Sequence, residues 1–222
     1  MSKPCAFELQ GLKDHIIGVE KVADAFIEVS NLHRVAARRL GLSDPELVKG
    51  YMLLAAKAHD LGKALEYYQN QFDDSCRAVK GFSFVNHEVY SAAILLAKRE
   101  EVMKTYGGCE LCFDSAVSAV LLHHHAMRVH DSREMKDTQK YREYASKLGK
   151  VIKGDLDEVM GFELPESLNN TDLSRLAFSL DGIYGSSSKS YLYFLTPLVI
   201  ADYADSSKRE NSEKRTFSLI VL

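Results

Sequence analysis

The tract AAKAHDLGK, Ala55 to Lys63, sets an imidazole and a carboxylate side by side, with a lysine one turn further on. An imidazole nitrogen and a carboxylate oxygen are suitable ligands for divalent transition ions, and Lys63 offers a positive charge that could face a phosphate. The small residues ahead of His59 let neighbouring backbones approach, and Gly62 predicts a helix break just beyond the pair. His15, His87, His123 and His124 also lie in apolar helical contexts that would ordinarily hold Leu or Ala. A buried imidazole left unpaired costs about 1–3 kcal/mol, so such residues need hydrogen-bond partners or a cation. One alone is an ordinary core histidine; five of them beside a His-Asp pair point to metal chemistry.

These side chains must be positioned by helices. Ile16, Val19, Val22, Ala23, Phe26 and Val29 recur at spacings of three and four, predicting one amphipathic helix over 16–40 that stops at Leu40 and Gly41. Ser43 or Asp44 before Pro45 supplies an N-cap for a second helix that carries His59 and Asp60 near its end. An irregular aromatic stretch over 72–85 precedes Asn86, which can cap a helix from His87 to Arg99. A very apolar helix is expected over 113–127 and another over 136–149. Residues 154–189, rich in Gly, Ser, Asn and Asp, read as a loop-rich insertion with only 172–180 helical. Pro197 opens or interrupts a last helix carrying Asp202 and Asp205, three residues apart, either of which could close the site. No strands in series and no glycine-rich phosphate loop occur, so the expected fold is all-α, a single domain over 1–222.

The composition excludes other classes. The 222 residues carry a formal net charge of −3, are 46% hydrophobic, and include only 13 glycines and 4 prolines, which argues against disordered or collagen-like chains and against a global polyanion surface. There is no signal-peptide pattern and no run of roughly 18 apolar residues, so no membrane partner is expected. Four cysteines in a chain of this length read as thiols of a reducing, cytoplasmic compartment, with Cys5 and Cys76 isolated and Cys109-x-x-Cys112 lacking a second pair for zinc.

The ordered set, His15 in KDHIIGV, His59-Asp60-Leu-Gly-Lys63, His87 in NHEVYSA, the LLHHH run and Asp202 in ADYADSS, resembles the HD superfamily of metal-dependent phosphohydrolases. More narrowly, it is similar to the HD nuclease of type I CRISPR systems, in the form separate from the helicase. That resemblance implies an HD-domain helical bundle with two divalent ions, Mn, Fe, Ni, Co or Mg. One ion would be held by His15, His59, Asp60 and Asp202 and the other by His87, His123 and His124, with Asp60 bridging and Lys63 positioning the scissile phosphate. It implies single-stranded DNA as the substrate of an endonuclease with exonuclease capacity. It also implies a separate helicase subunit and an RNA-guided surveillance complex as partners. The family pattern has two adjacent histidines where this chain has three. Successive helical side chains diverge by about 100°, so all three cannot point at one ion unless the helix ends there; His123 and His124 are taken as the ligands, with His125 as the substitute. Asp205 reads as a supporting or helix-end residue, and His33 and His130 as surface residues. Residues 128–153 carry eight Lys or Arg against four Asp or Glu and follow the histidine run, a path for a phosphate backbone or else a solvated helix face. Tyr67, Tyr68 and Phe72 could stack on unpaired bases. The runner-up function is a phosphohydrolase of small nucleotides or phosphomonoesters, and a non-enzymatic scaffold with a metal site is the third reading.

Overall fold

The computed structural model describes residues 3–124, 137–187 and 189–213. His125, His130, the first part of the basic stretch and the apolar C-terminus lie outside them. A short antiparallel ribbon, β1 (Cys5–Phe7) and β2 (Gln10–Gly11), leads into α1 (Leu12–Ser30). One stripe of α1, from Leu12 through His15, Ile16, Val19 and Ala23 to Ile27, is buried. The helix expected over 16–40 is broken at Asn31, which sits in the left-handed region at φ 52°. A short polar side chain tolerates that conformation, and α2 (Leu32–Leu40) starts again in a new direction. Gly41, at φ 70°, ends it where expected. The break corrects one reading: His33 is 1% exposed rather than on the surface, because the redirected α2 turns His33, Ala36 and Ala37 inward.

Asp44, not Ser43, caps α3 (Pro45–Ala58) by accepting from the amides of Glu46 and Leu47, with Pro45 in the first turn. The helix ends at His59, and Leu61–Ala64 tightens into a 3-10 turn followed by the single turn α4 (Glu66–Gln69). After the irregular stretch come α5 (His87–Ala97), α6 (Arg99–Tyr106) and α7 (Glu110–Leu122). Asn86 does stand before α5, but its side chain makes no cap bond. Asp137 caps α8 (Thr138–Ala145), and the chain continues through α9 (Leu156–Met160), α10 (Asn170–Ser187) and α11 (Tyr191–Glu213).

The second correction concerns 154–189. Helix α10 runs from Asn170 to Ser187 and belongs to the core, packing on α5 and α7 through Leu173, Leu176, Ala177, Leu180 and Ile183. The helical spacing was present in those residues, diluted by an outward face of Ser, Asp and Gly. Its start is a reciprocal cap: Asn169 accepts from the Thr171 amide at 2.7 Å while Asp172 accepts from the Asn169 amide at 3.0 Å. Pro197 lies inside α11 rather than opening it. That last helix packs against α1, α3 and α7, which brings Asp202 and Asp205 to His15, some 190 positions away in the chain for the 205–15 pair.

The cysteines are the third correction. All four are paired, Cys5 with Cys76 and Cys109 with Cys112. The first bond closes a separation of 71 residues between Cα atoms 5.5 Å apart, a proximity no local pattern announces. Among the described residues no helix is long and apolar enough to cross a membrane. Cross-linking a loop of this size stabilises mainly by restricting the unfolded chain, by about 4 kcal/mol. Cys76→Ser is therefore expected to lower the denaturant midpoint of the oxidised protein by a corresponding amount, and reductant is expected to lower the wild-type midpoint in the same equilibrium unfolding measurement.

Candidate metal centre

Five pieces of the chain converge on Asp60. The end of α3 delivers His59 and Asp60, and the 3-10 turn delivers Lys63. Helix α1 brings His15, the first turn of α5 brings His87, and the residues after α7 bring His123 and His124. The approach of the 3-10 turn to α5 depends on Gly62: a Cβ there would collide with the His87 carbonyl and the Ser91 amide. The Gly62 amide instead donates to Ser91 Oγ at 2.7 Å, and Ser91 donates to the His87 carbonyl at 3.0 Å. The motif glycine thus sets the distance between Asp60 and His87.

The two oxygens of Asp60 serve different neighbours. Oδ2 lies 3.1 Å from His15 Nε2, 3.4 Å from His59 Nε2 and 2.7 Å from Lys63 Nζ. Oδ1 lies 2.8 Å from His87 Nε2 and 4.0 Å from His123 Nε2. Asp202 Oδ1 joins the first set, 3.5 Å from His15 and 3.6 Å from His59, and His124 joins the second, its Nε2 3.2 Å from that of His87. His15 and His59 thus form one group with Asp60, and His87, His123 and His124 a second that shares it, while Asp202 lies beside the first, so all seven residues expected as ligands are brought close together. Lys63 is there too, 3% exposed and not a solvated helix-end residue, with its ammonium 3.8 Å from the ring centre of Phe7 and 4.9 Å from that of Phe84.

The outer nitrogens fix the tautomers. Nδ1 of His59, His87 and His123 bonds the carbonyl three residues earlier, Ala56, Phe84 and Val120, at 2.7, 2.7 and 2.6 Å. A carbonyl only accepts, so each of these rings donates from Nδ1 and presents a lone pair on Nε2. His15 Nδ1 bonds Asp205 Oδ2 at 2.9 Å, and Gly18 makes room for that carboxylate, since a Cβ at position 18 would overlap it. Asp205 accordingly supports His15, the role expected for it. Nε2 of His59 and of His123 is buried without a hydrogen-bond partner. Inward lone pairs, held from behind by carbonyls or a carboxylate and gathered around a shared aspartate, are the donor arrangement a divalent transition ion requires. The residues present fit such ions.

Electrostatics agree with that geometry. Burial raises Asp60, yet its neighbours His59, Lys63 and His87 and the hydrogen bond to His15 hold it well below the usual carboxylate range. Burial also opposes ionisation of Asp202, and His15 and His59 overcome it. Burial works against a charge on His15, but hydrogen bonds to Asp202, Asp205 and Asp60 raise its pKa to about 10. His123 and His124 are pushed down, by burial first and by neighbouring histidines second. The cation-free cluster thus keeps acids ionised and places a proton on His15, where a metal ion would replace it.

A family model described as Cas3, HD domain, matches residues 6–202. The chain belongs to the Cas3 HD family. The CRISPR-associated endonuclease Cas3-HD of Saccharolobus solfataricus is 36% identical to it over 238 residues, covering 100% of this chain and 96% of that relative. The protein of the same name from Methanocaldococcus jannaschii is 25% identical over 225 residues, covering 92% and 89%. With this membership the fold expected of the motifs, an HD-domain helical bundle, is the fold observed.

Several residues around the Cas3 HD centre carried no sequence signal. Phe7 and Phe84 enclose Lys63, and Gln69 anchors that turn by donating to the Lys63 carbonyl at 2.6 Å. Gly18, one turn after His15, was legible only as a helix residue. Of the rings expected to stack on bases, Tyr68 is buried, with its hydroxyl donating to the Val85 carbonyl at 2.6 Å, so it is a core residue.

Two outcomes follow from the His15 environment. Histidine in the unfolded chain titrates near 6.5. A folded value near 10 therefore contributes stability that is complete below about pH 6.5 and is lost as pH rises toward 10. The melting temperature of chelator-treated protein is expected to fall between pH 7 and 10, and an added divalent cation to reverse the fall, in a differential scanning fluorimetry pH series. Asp205→Ala removes the acceptor behind His15 and is expected to weaken divalent-ion affinity about 10–100-fold, read by titration calorimetry, with Asp205→Asn intermediate.

Proposed function

We propose that this chain is a metal-dependent DNA endonuclease of CRISPR interference, acting on single-stranded DNA, with exonuclease capacity at ends. The reading rests on the shared carboxylate: Asp60 turns one oxygen to His15 and His59 and the other to His87 and His123, the arrangement suited to two divalent ions rather than one. The names of the relatives, CRISPR-associated endonucleases, support internal cleavage of a nucleic acid and the CRISPR setting. His15, His59, Asp60 and Asp202 would hold one ion, and His87, His123 and His124 the other, with Asp60 common to both. Nitrogen-rich ligation favours Mn, Fe, Co or Ni over Mg, subject to supply in the cell.

Bound in pairs, such ions polarise a phosphodiester, make a nucleophile available near neutral pH and stabilise both attacking and leaving oxygens. The chain's own residues supply the rest. His59, His87 and His123 keep their protons on Nδ1, so no tautomer change is needed to bind cations. Asp205 holds the plane of His15. Lys63 sits against Asp60 and orients it, and its ammonium is a positive group at the cluster that could also meet a phosphate oxygen. Duplex targets would need the separate helicase and the RNA-guided surveillance complex as partners, in the cytoplasm.

The test is elemental analysis of the purified chain, followed by digestion of a labelled single strand with each divalent ion after chelation, beside a panel of nucleotides. Ion-dependent internal cleavage of the strand is expected, and Asp60→Ala is expected to reduce it to background with the helical signal in circular dichroism retained. Hydrolysis of the nucleotides alone would favour the small-molecule phosphohydrolase, and metal binding without any hydrolysis would reduce the site to a structural one.

A further inference from the structure

Helix α4 and the irregular stretch after it leave large apolar side chains in solvent beside the centre. Phe82 is 38% exposed and Tyr67 50%, while Phe72 and Phe84 are half-buried. Their rings form one continuous series. Tyr67 meets Tyr68 at 5.2 Å, Tyr68 meets Phe84 at 5.6 Å, and Phe84 stacks on Phe72 at 5.7 Å with planes 15° apart. Phe82 closes on both Phe72, at 5.2 Å, and Phe84, at 5.8 Å. The series meets the histidine cluster at its middle, where Phe84 lies 6.4 Å from the His87 ring and 4.9 Å from Lys63 Nζ. A cation accompanies one end, since Lys147 Nζ is 5.6 Å from the Tyr67 ring.

The stretch is held in place although it has no regular structure. Gln71 bonds both the amide and the carbonyl of Ser83, Asp73 accepts from the amides of Ser75 and Arg77, Phe72 pairs with Ala78, and Cys76 is tied to Cys5. Phe82 and Phe84, two apart in sequence, lie together on one side of the stretch, their ring centres 5.8 Å apart. Exposed rings on a braced frame retain their position when a partner arrives, and apolar surface kept in water at such a place marks a binding surface.

We propose that Phe82 and Tyr67 are the exposed ends of a stacking platform for unpaired nucleobases of a single-stranded polynucleotide whose backbone runs to the Asp60 centre. Bases within a duplex already stack on one another, so the platform selects single strands; every base offers a flat face, so it does so without reading sequence. This inference rests on the nuclease reading above.

The experiment compares binding of a ten-residue oligothymidylate with an abasic oligomer of equal length and charge, by fluorescence anisotropy with the full chain in chelator at low salt. The wild type is expected to prefer the base-bearing strand by about tenfold. Phe82→Leu, which keeps apolar volume but removes the aromatic face, is expected to lose most of that preference with an unchanged melting temperature, and Phe82→Trp to retain it. Absence of a preference in the wild type, or its persistence in Phe82→Leu, would overturn the platform and leave the exposed rings to a protein partner. Hydrolysis of bis(p-nitrophenyl) phosphate by the wild type with Mn²⁺ is measured in parallel. Its failure would overturn the nuclease reading and the platform with it, whereas its success beside absent base preference would overturn the platform alone.

Discussion

A carboxylate removed from water is costly unless cations surround it, and Asp60 is such a group, fully enclosed and encircled by imidazoles and one ammonium. Much of the architecture answers that requirement. Helix α11 packs across α1, α3 and α7, which sets Asp202 and Asp205 opposite the histidines. The 3-10 turn carries Lys63 inward instead of outward. Asp60, Asp202 and Asp205 outnumber the one ammonium beside them, and His15 takes a proton between these three acids. A cluster of acids strong enough to hold a proton on a buried imidazole is also strong enough to exchange it for a metal ion.

Part of this is legible in the sequence. His59, Asp60 and Gly62 sit in a tract whose small residues and helix-ending glycine are local signals, and the helix ends at Asp44 and Gly41 are local too. The clustered histidines are conspicuous because each interrupts an apolar face. What escaped notice is long-range or diluted. The turn at Asn31 depends on one residue accepting a left-handed conformation, which hydrophobic periodicity does not report, and with it went the placement of His33. Helix α10 hid behind serines and glycines that belong to its outer face. Phe7 and Cys76 acquire their roles only once β1 is laid beside the stretch after α4.

Cys5 and Phe7 share one strand, and Cys76 and Phe84 share one irregular stretch. The covalent link therefore joins the two segments whose rings enclose Lys63. Enclosure of a lysine by two unconnected pieces of chain loses configurational entropy twice; linked, most of that loss is already suffered by the oxidised unfolded chain.

The histidines bonded to carbonyls three positions back have a consequence for how such a centre tolerates change. His59, His87 and His123 each take their proton placement from the residue three positions earlier, Ala56, Phe84 and Val120. Donor polarity is thus written locally, segment by segment, and owes nothing to the length of chain between one segment and the next. Insertions or deletions in the intervening stretches can accumulate without reversing any of these three rings, so long as each short module stays whole.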